Sequence, residues 1–310
     1  MLIAHISDLH LNTLFSDSNI KKIENILDYI VKKKADHIII TGDITDNADE
    51  SDLVLFRNQL NRRKLFSSKV LTVLPGNHDI YGAPQRPEDL FDFPSRCKKL
   101  DFKSKLKEFN KYFEETFDDC VYISSENNYP FLKILNEDVI IIGLNSIIEY
   151  SITKNPFASN GEVTLPQFFE AEKILREKIN DARVKIVAIH HHFNKIKNTK
   201  RSFAGIWQNI EKQTMKLRKK KRLINLFNKY NIDLVLHGHI HYNEYYERKG
   251  VNFINGGASI KGYSGQSLRV NFIEVKNNNL VCSLHKITKT NDIIIEELFS
   301  KEIVNNKVLV

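Results

Sequence analysis

Five short polar clusters carry the chemistry of this 310-residue chain: Asp8-Leu9-His10, Gly42-Asp43-Ile44-Thr45-Asp46, Gly76-Asn77-His78-Asp79, His190-His191-His192 and Gly238-His239-Ile240-His241. Their donors are carboxylate oxygen, imidazole nitrogen and an amide oxygen, with no thiolate. That is the set of a hard-to-borderline metal site. In Asp8-x-His10 and His239-x-His241 the i, i+2 spacing puts both side chains on one side of an extended segment. Gly42, Gly76 and Gly238 each precede a candidate ligand, where a missing side chain lets the backbone come close to an ion. Asp8, His10, Asp43, Asn77, one His of the triplet, His239 and His241 are too many donors for one ion and enough for two that share a carboxylate.

Two cations about 3.5–4 Å apart lower the pKa of a bridging water and clamp phosphoryl oxygens on both sides of an in-line displacement. An alkoxide leaving group needs a proton in the transition state. His78, directly beside Asn77, is placed to supply it, which favours phosphodiesters over pyrophosphates. Each piece alone has an ordinary explanation: Asp43 or Asp46 as a helix N-cap, Asn77 as a turn residue, a strand-end His as part of the core. His5, His37, His237 and His285 keep that ordinary reading. The ordered set of five does not.

What positions the clusters is an alternation of strands and helices. Leu2–Ile6, His37–Thr41, Val70–Leu74, Val184–Ile189 and Asp233–Leu236 read as strands, and each runs directly into one of the clusters. Helical spacing marks Asn19–Lys34, Asp52–Lys64, Asp101–Phe117 and Leu165–Ile179, the last with Thr164 as N-cap and Pro166 in its first turn. Val121–Ile123, Phe131–Leu135 and Val139–Leu144 read as further strands. From Tyr242 onward the pattern is of antiparallel strands, at Glu244–Arg248, Asn252–Ile254, Arg269–Val275 and Leu280–His285. Such an order fits one α/β domain over 1–288, followed by a surface tail over 289–310. In a mostly parallel sheet the C-terminal strand ends share one edge, so all five clusters are expected in one crevice.

The ordered set D-x-H, G-D-x-x-D, G-N-H-D, H and G-H-x-H resembles the calcineurin-like metallophosphoesterases, most of all their class III cyclic-nucleotide phosphodiesterase branch, from Leu2 to about residue 260. The resemblance implies a four-layer αββα sandwich with two mixed β-sheets. It implies two divalent cations, Mn²⁺ before Fe or Zn, and hydrolysis of phosphodiesters of nucleotide type such as cyclic nucleotides. Carried over by position, Asp8, His10 and His241 hold the first metal and Asn77, His190 and His239 the second, with Asp43 between them. His78 is then the general acid and Asp46 its orienting partner, while Asn77 and His191 face the substrate. His190 is preferred to His191 as ligand because it comes first after the strand. Phe193 stands where that branch usually has Pro, so the pocket beside the second metal is expected to differ.

The net charge of +8 is local. Between Lys195 and Arg222 stand eleven Lys/Arg and one acid, Glu211, so the rest of the chain is slightly acidic. Phe203, Ile206, Trp207, Ile210 and Leu217 give this insert helical spacing. It reads either as a solvated helix over the crevice or as a surface for nucleic acid or an anionic membrane. A phospholipid or nucleotide-sugar pyrophosphate hydrolase working at a membrane is therefore the second reading of function. A non-catalytic scaffold of the same fold would lack ligands, and none is lacking. Cys97, Cys120 and Cys282 are odd in number and far apart, the N-terminus shows no signal peptide, and a cytoplasmic protein is expected.

Overall fold

The computed structural model describes residues 1–14, 18–84, 88–123, 128–178, 183–194, 215–257, 259–260 and 267–303. Two mixed sheets stack with helices on their outer faces, the αββα sandwich. The first sheet has β1 (Leu2–Ile6), β2 (His37–Ile40) and β3 (Leu71–Val73) parallel at one side. On the other side of β1, antiparallel, follow β11 (Leu268–Lys276), β12 (Asn279–Ile287) and β13 (Ile293–Glu302). The second sheet runs β4 (Cys120–Val121), β5 (Phe131–Ile134), β6 (Val139–Leu144), β7 (Val184–Ile189), β8 (Leu234–His237), β10 (Val251–Asn255) and β9 (Glu244–Arg248). Its β6, β7, β8 and β10 are parallel neighbours.

Period-two alternation divides the core. From β6, β7 and β8, the residues Val139, Ile141, Ile186, Ala188, Leu234 and Leu236 join the core between the sheets. Their alternates Ile140, Ile142, Val187, Ile189 and Val235 face α6 (Leu165–Glu177) and α7 (Lys220–Lys229) on the outside. Runs without polar residues are what strands covered on both faces require. On the first sheet, α1 (Ser18–Lys32) buries Ile23, Ile26, Leu27 and Ile30, and its Tyr29 bonds His285 of β12 at 2.7 Å. The four histidines read as core are in the core, each with a partner: His5 with Thr41, His37 with Thr72, His237 with Tyr246 and His285 with Tyr29.

One expectation needs correction, in the helices. The helix read over Asp101–Phe117 is α5 (Phe102–Tyr112) followed by a short 3₁₀ turn, and α2 (Glu50–Arg62), the short α3 (Asn77–Tyr81) and α4 (Asp89–Lys99) precede it. Helix α4 escaped notice because Pro94 interrupts its pattern. Within the segment read as a surface tail, β13 pairs with β12 along its whole length. Ile293, Ile294 and Ile295 stay exposed on that edge, so no amphipathic alternation announces the strand. Of the basic insert, 195–214 lie outside the described residues. The part that follows is engaged within the chain. Leu217 is buried, Arg218 and Lys219 both pair with Glu162, Lys220 donates to the Asn194 carbonyl, and Arg222 stacks on Phe168. No helix among the described residues is long and apolar enough to cross a membrane.

Candidate metal centre

The five clusters occupy the loops after β1, β2, β3, β7 and β8, all at the C-terminal ends of parallel strands. Backbone hydrogen bonds zip neighbouring loops together: Asp8 N to Gly42 O and His10 N to Asp43 O at 3.0 Å, and Gly238 N to His190 O at 2.9 Å. Side chains then cross between the sheets. Asp8 Oδ1 accepts from His239 N at 2.9 Å, and the Thr41 carbonyl accepts from His190 Nδ1 at 2.7 Å. The loops are also strained. Asp8, His10, Asp43 and His239 have φ of 55°, 46°, 51° and 73°, in the left-handed region that costs non-glycine residues about 1–3 kcal/mol each. Glycine permits the close approach: a Cβ on Gly76 would strike the Asp43 carboxylate, and one on Gly238 would strike Ser7 and Asp8.

Asp8, His10 and His241 converge in one group, and Asp43, His190 and His239 in another. The His10 and His241 Nε2 atoms are 2.9 Å apart, and His190 Nε2 lies 3.1 Å from His239 Nδ1. Two imidazole nitrogens so close share either one proton or one cation. Asn77 Oδ1 completes the second group, 3.2 Å from His190 Nε2. Asp43 Oδ2 stands between the groups, 3.9 Å from His10 Nε2 and 3.4 Å from His190 Nε2, while Oδ1 accepts from His78 N at 2.9 Å. The buried His239 Nε2 has no partner among the described residues. This donor set fits two divalent cations that share a carboxylate.

The electrostatics agree with that fit. Burial pushes the His10, His239 and His241 imidazoles down, His241 to about 4, which keeps them in the neutral form that binds metal. Burial would raise the Asp43 carboxyl, but His190, His78 and His10 hold it well below the ordinary carboxylate range. Burial would lower His78 and His190 too, yet Asp43 beside both, together with Asp46 at His78 and Asp8 at His190, raises each to about 9. Protons thus stand where positive charge is wanted, and cation binding at His190 must release one.

A family model described as calcineurin-like phosphoesterase matches residues 1–243. The chain belongs to this family. Over 249 residues this phosphoesterase is 29% identical to a probable glycerophosphodiester phosphodiesterase, GpdQ, of Arcobacter nitrofigilis, covering 78% of the chain and 72% of that protein. Two solved structures share the fold. A dimetal phosphatase from Danio rerio has a TM-score of 0.57 at 10% identity, covering 96% of this chain and 99% of that one. The purple acid phosphatase of yellow lupin, Lupinus luteus, has 0.59 at 14% identity, covering 97% and 53%. The chain is a metal-dependent phosphoesterase.

At the rim of the phosphoesterase site, His78 packs edge-on to His10 with ring centroids 4.6 Å apart. Its Nδ1 bonds the Asp46 carbonyl at 3.0 Å and lies 3.4 Å from Asp46 Oδ1. That same Oδ1 accepts from His10 Nδ1 at 3.0 Å, so Asp46 serves two rings and not His78 alone. His191 does not fit the substrate-facing role expected for it. It is fully buried, with Nδ1 against Ser146 Oγ at 2.8 Å and Nε2 against the Ser159 carbonyl at 3.2 Å. The polar loop around Ser146 captures its ring, which the sequence of the triplet alone could not show. Asp79 was overlooked as a positioning residue. It accepts from Thr45 N and Gly76 N, both at 2.8 Å, and so ties the Asp43 loop to the Asn77 loop. Its position three residues after Gly76, as in a capping box, was the available signal.

Proposed function

We propose that this phosphoesterase hydrolyses small phosphodiesters that expel an alkoxide, glycerophosphodiesters first among them. The observation that carries the reading is His78. It is an imidazole at the mouth of the metal centre, held through Nδ1 by Asp46 while no described group engages Nε2, and Asp43 and Asp46 beside it raise its pKa against the effect of burial. Only a poor leaving group gains from such a donor. The name of the A. nitrofigilis relative supports the glycerol ester.

Asp8, His10 and His241 would hold one cation, Asn77, His190 and His239 the other, and Asp43 both. When bound, the pair supplies Lewis-acid polarisation of the phosphoryl group and an activated water. His78 delivers the proton to the departing oxygen, and Asp46 holds the imidazole in place and charged. Phosphate steering by the cations of 195–222 is part of the same proposal.

The test is a panel assay on protein stripped with chelator and reloaded with Mn²⁺, Fe²⁺ or Zn²⁺. It compares glycerophosphoethanolamine, a cyclic nucleotide, an alkyl phosphomonoester and a lipid-linked pyrophosphate. Metal-dependent turnover with kcat/KM highest for the glycerol diester is expected. Turnover confined to the monoester or the pyrophosphate refutes the reading, and a preference for the cyclic nucleotide moves the substrate to the nucleotide class.

A further inference from the structure

The imidazole of His10 is held from behind. Its Nε2 faces His241 in the first donor group, and its Nδ1 donates to Asp46 Oδ1 at 3.0 Å. A bond of this kind fixes the tautomer, so that the lone pair stays on the nitrogen turned to the cation, and it sets the plane of the ring. The carboxylate that does this must itself be kept in place. Its backbone is tied down, Asp46 N donating to the Leu11 carbonyl at 2.9 Å, but the side chain is 18% exposed, so water competes for it. Oδ1 is also contested, since His78 Nδ1 lies 3.4 Å away.

The other oxygen is gripped by a residue outside the five clusters. Asp46 Oδ2 accepts from Asn12 Nδ2 at 3.1 Å, and Asn12 is only 4% exposed. With one oxygen on each side engaged, rotation of the carboxylate would break both bonds. Asn12 is in turn placed by its neighbours in the chain. Leu11 N donates to the Ile44 carbonyl at 2.8 Å, and Thr13 gives its N–H and its hydroxyl to Asp52 Oδ1 of α2, at 3.2 and 2.7 Å. Asn19 of α1 donates to the His10 carbonyl at 3.3 Å. The segment from His10 to Thr13 is thus pinned to the loop after β2 and to two helices, and the amide of Asn12 is presented from a fixed backbone.

We propose that Asn12 is a positioning residue of the metal centre: its amide holds the Asp46 carboxylate in the orientation that keeps His10 Nε2 aimed at the first cation. It acts through Asp46 and binds no cation itself. The inference rests on the ligand assignment above and adds to it the residue that organises the support behind His10. The test is calorimetric titration of chelator-stripped protein with Mn²⁺, with melting temperatures on the same samples. It covers wild type, Asp8→Asn, Asp46→Ala, Asn12→Ala, Asn12→Leu and the double variant of Asn12→Ala with Asp46→Ala. The ion that Asp8→Asn weakens is the first one. Both Asn12 variants should weaken that same ion ~10–100-fold, the usual worth of a group that orients a metal-ligating histidine, and leave the other in place. In the Asp46→Ala background the Asn12 substitution should cost nothing further, because the partner through which it acts is gone. A purely structural role would give the same loss with and without Asp46, and that result overturns the proposal. Asn12→Leu nearly keeps the volume of asparagine, so it decides if Asn12→Ala fails to fold. If Asp8→Asn weakens one ion and the Asn12 variants weaken neither, the inference falls alone. If Asp8→Asn itself weakens neither, the ligand assignment falls and the inference with it.

Discussion

Replacing His78 by alanine separates proton donation from metal binding. Its imidazole is raised from an ordinary 6.5 to about 9 by Asp43 and Asp46 against the opposing effect of burial. That displacement amounts to about 3 kcal/mol in favour of the charged form, so the donor is loaded at neutral pH. His78→Ala should keep both cations, because the ring bonds Asp46 and is not in either ligand group. It should cut kcat on a glycerol diester by ~10²–10⁴-fold, the usual worth of positioned proton transfer. On bis(p-nitrophenyl) phosphate, whose leaving group departs readily as an anion, the loss should be much smaller. The acid must be protonated to act, so activity on the alkyl ester falls as pH rises through its pKa. Asp46→Asn removes a raising influence and should move that fall to lower pH. The assay is kcat/KM against pH for both substrates, with elemental analysis of each sample. Equal losses on both esters, or losses that track metal content, would remove His78 from proton transfer.

Three further outcomes follow from particular contacts. Asp43→Asn should strip both ions, since Oδ2 stands between the two groups, whereas Asp8→Asn should weaken mainly the His10 and His241 group; metal stoichiometry by mass spectrometry decides. Gly238→Ala would drive a methyl into Ser7 and Asp8, so loss of metal affinity with a lowered melting temperature is expected in thermal unfolding with and without Mn²⁺. His5 and His37 are held near pKa 3 by burial, below the unfolded value of 6.5, so the unfolded chain binds more protons as pH falls. Their stability contribution is complete above pH 6.5 and is lost downward towards pH 3, at about 1.4 kcal/mol per pH unit for each. Urea unfolding of chelated protein should show a slope between pH 6 and 4 that decreases by that amount in His37→Gln.

How much of this could be read beforehand depends on the range of the interaction involved. Ligand types and their i, i+2 spacing are local, and so is the apolar run that precedes each cluster. The crevice at the strand ends, the meeting there of the seven candidate donors and the core placement of His5, His37, His237 and His285 were all legible for that reason. Nearly continuous apolar runs also revealed β6, β7 and β8, which are buried on both faces. Where the local pattern was broken or absent, reading failed: Pro94 hid α4, and the exposed isoleucines of β13 concealed an edge strand.

What only the tertiary structure decided is which atom faces which. His10 meets His241 across 231 residues of chain, and His190 takes its orientation from the Thr41 carbonyl 149 residues away. His190 and His191 are chemically identical neighbours, yet one points at Asp43 and the other is bound by Ser146 and Ser159. Residue type settles what a side chain can donate or accept. Its partner is settled by distant strands that bury it, because a buried polar group must bond to whatever the packing brings within reach. The left-handed backbone at Asp8, His10, Asp43 and His239 belongs to the same class, since contacts from four separate loops maintain it and no single loop sequence specifies it.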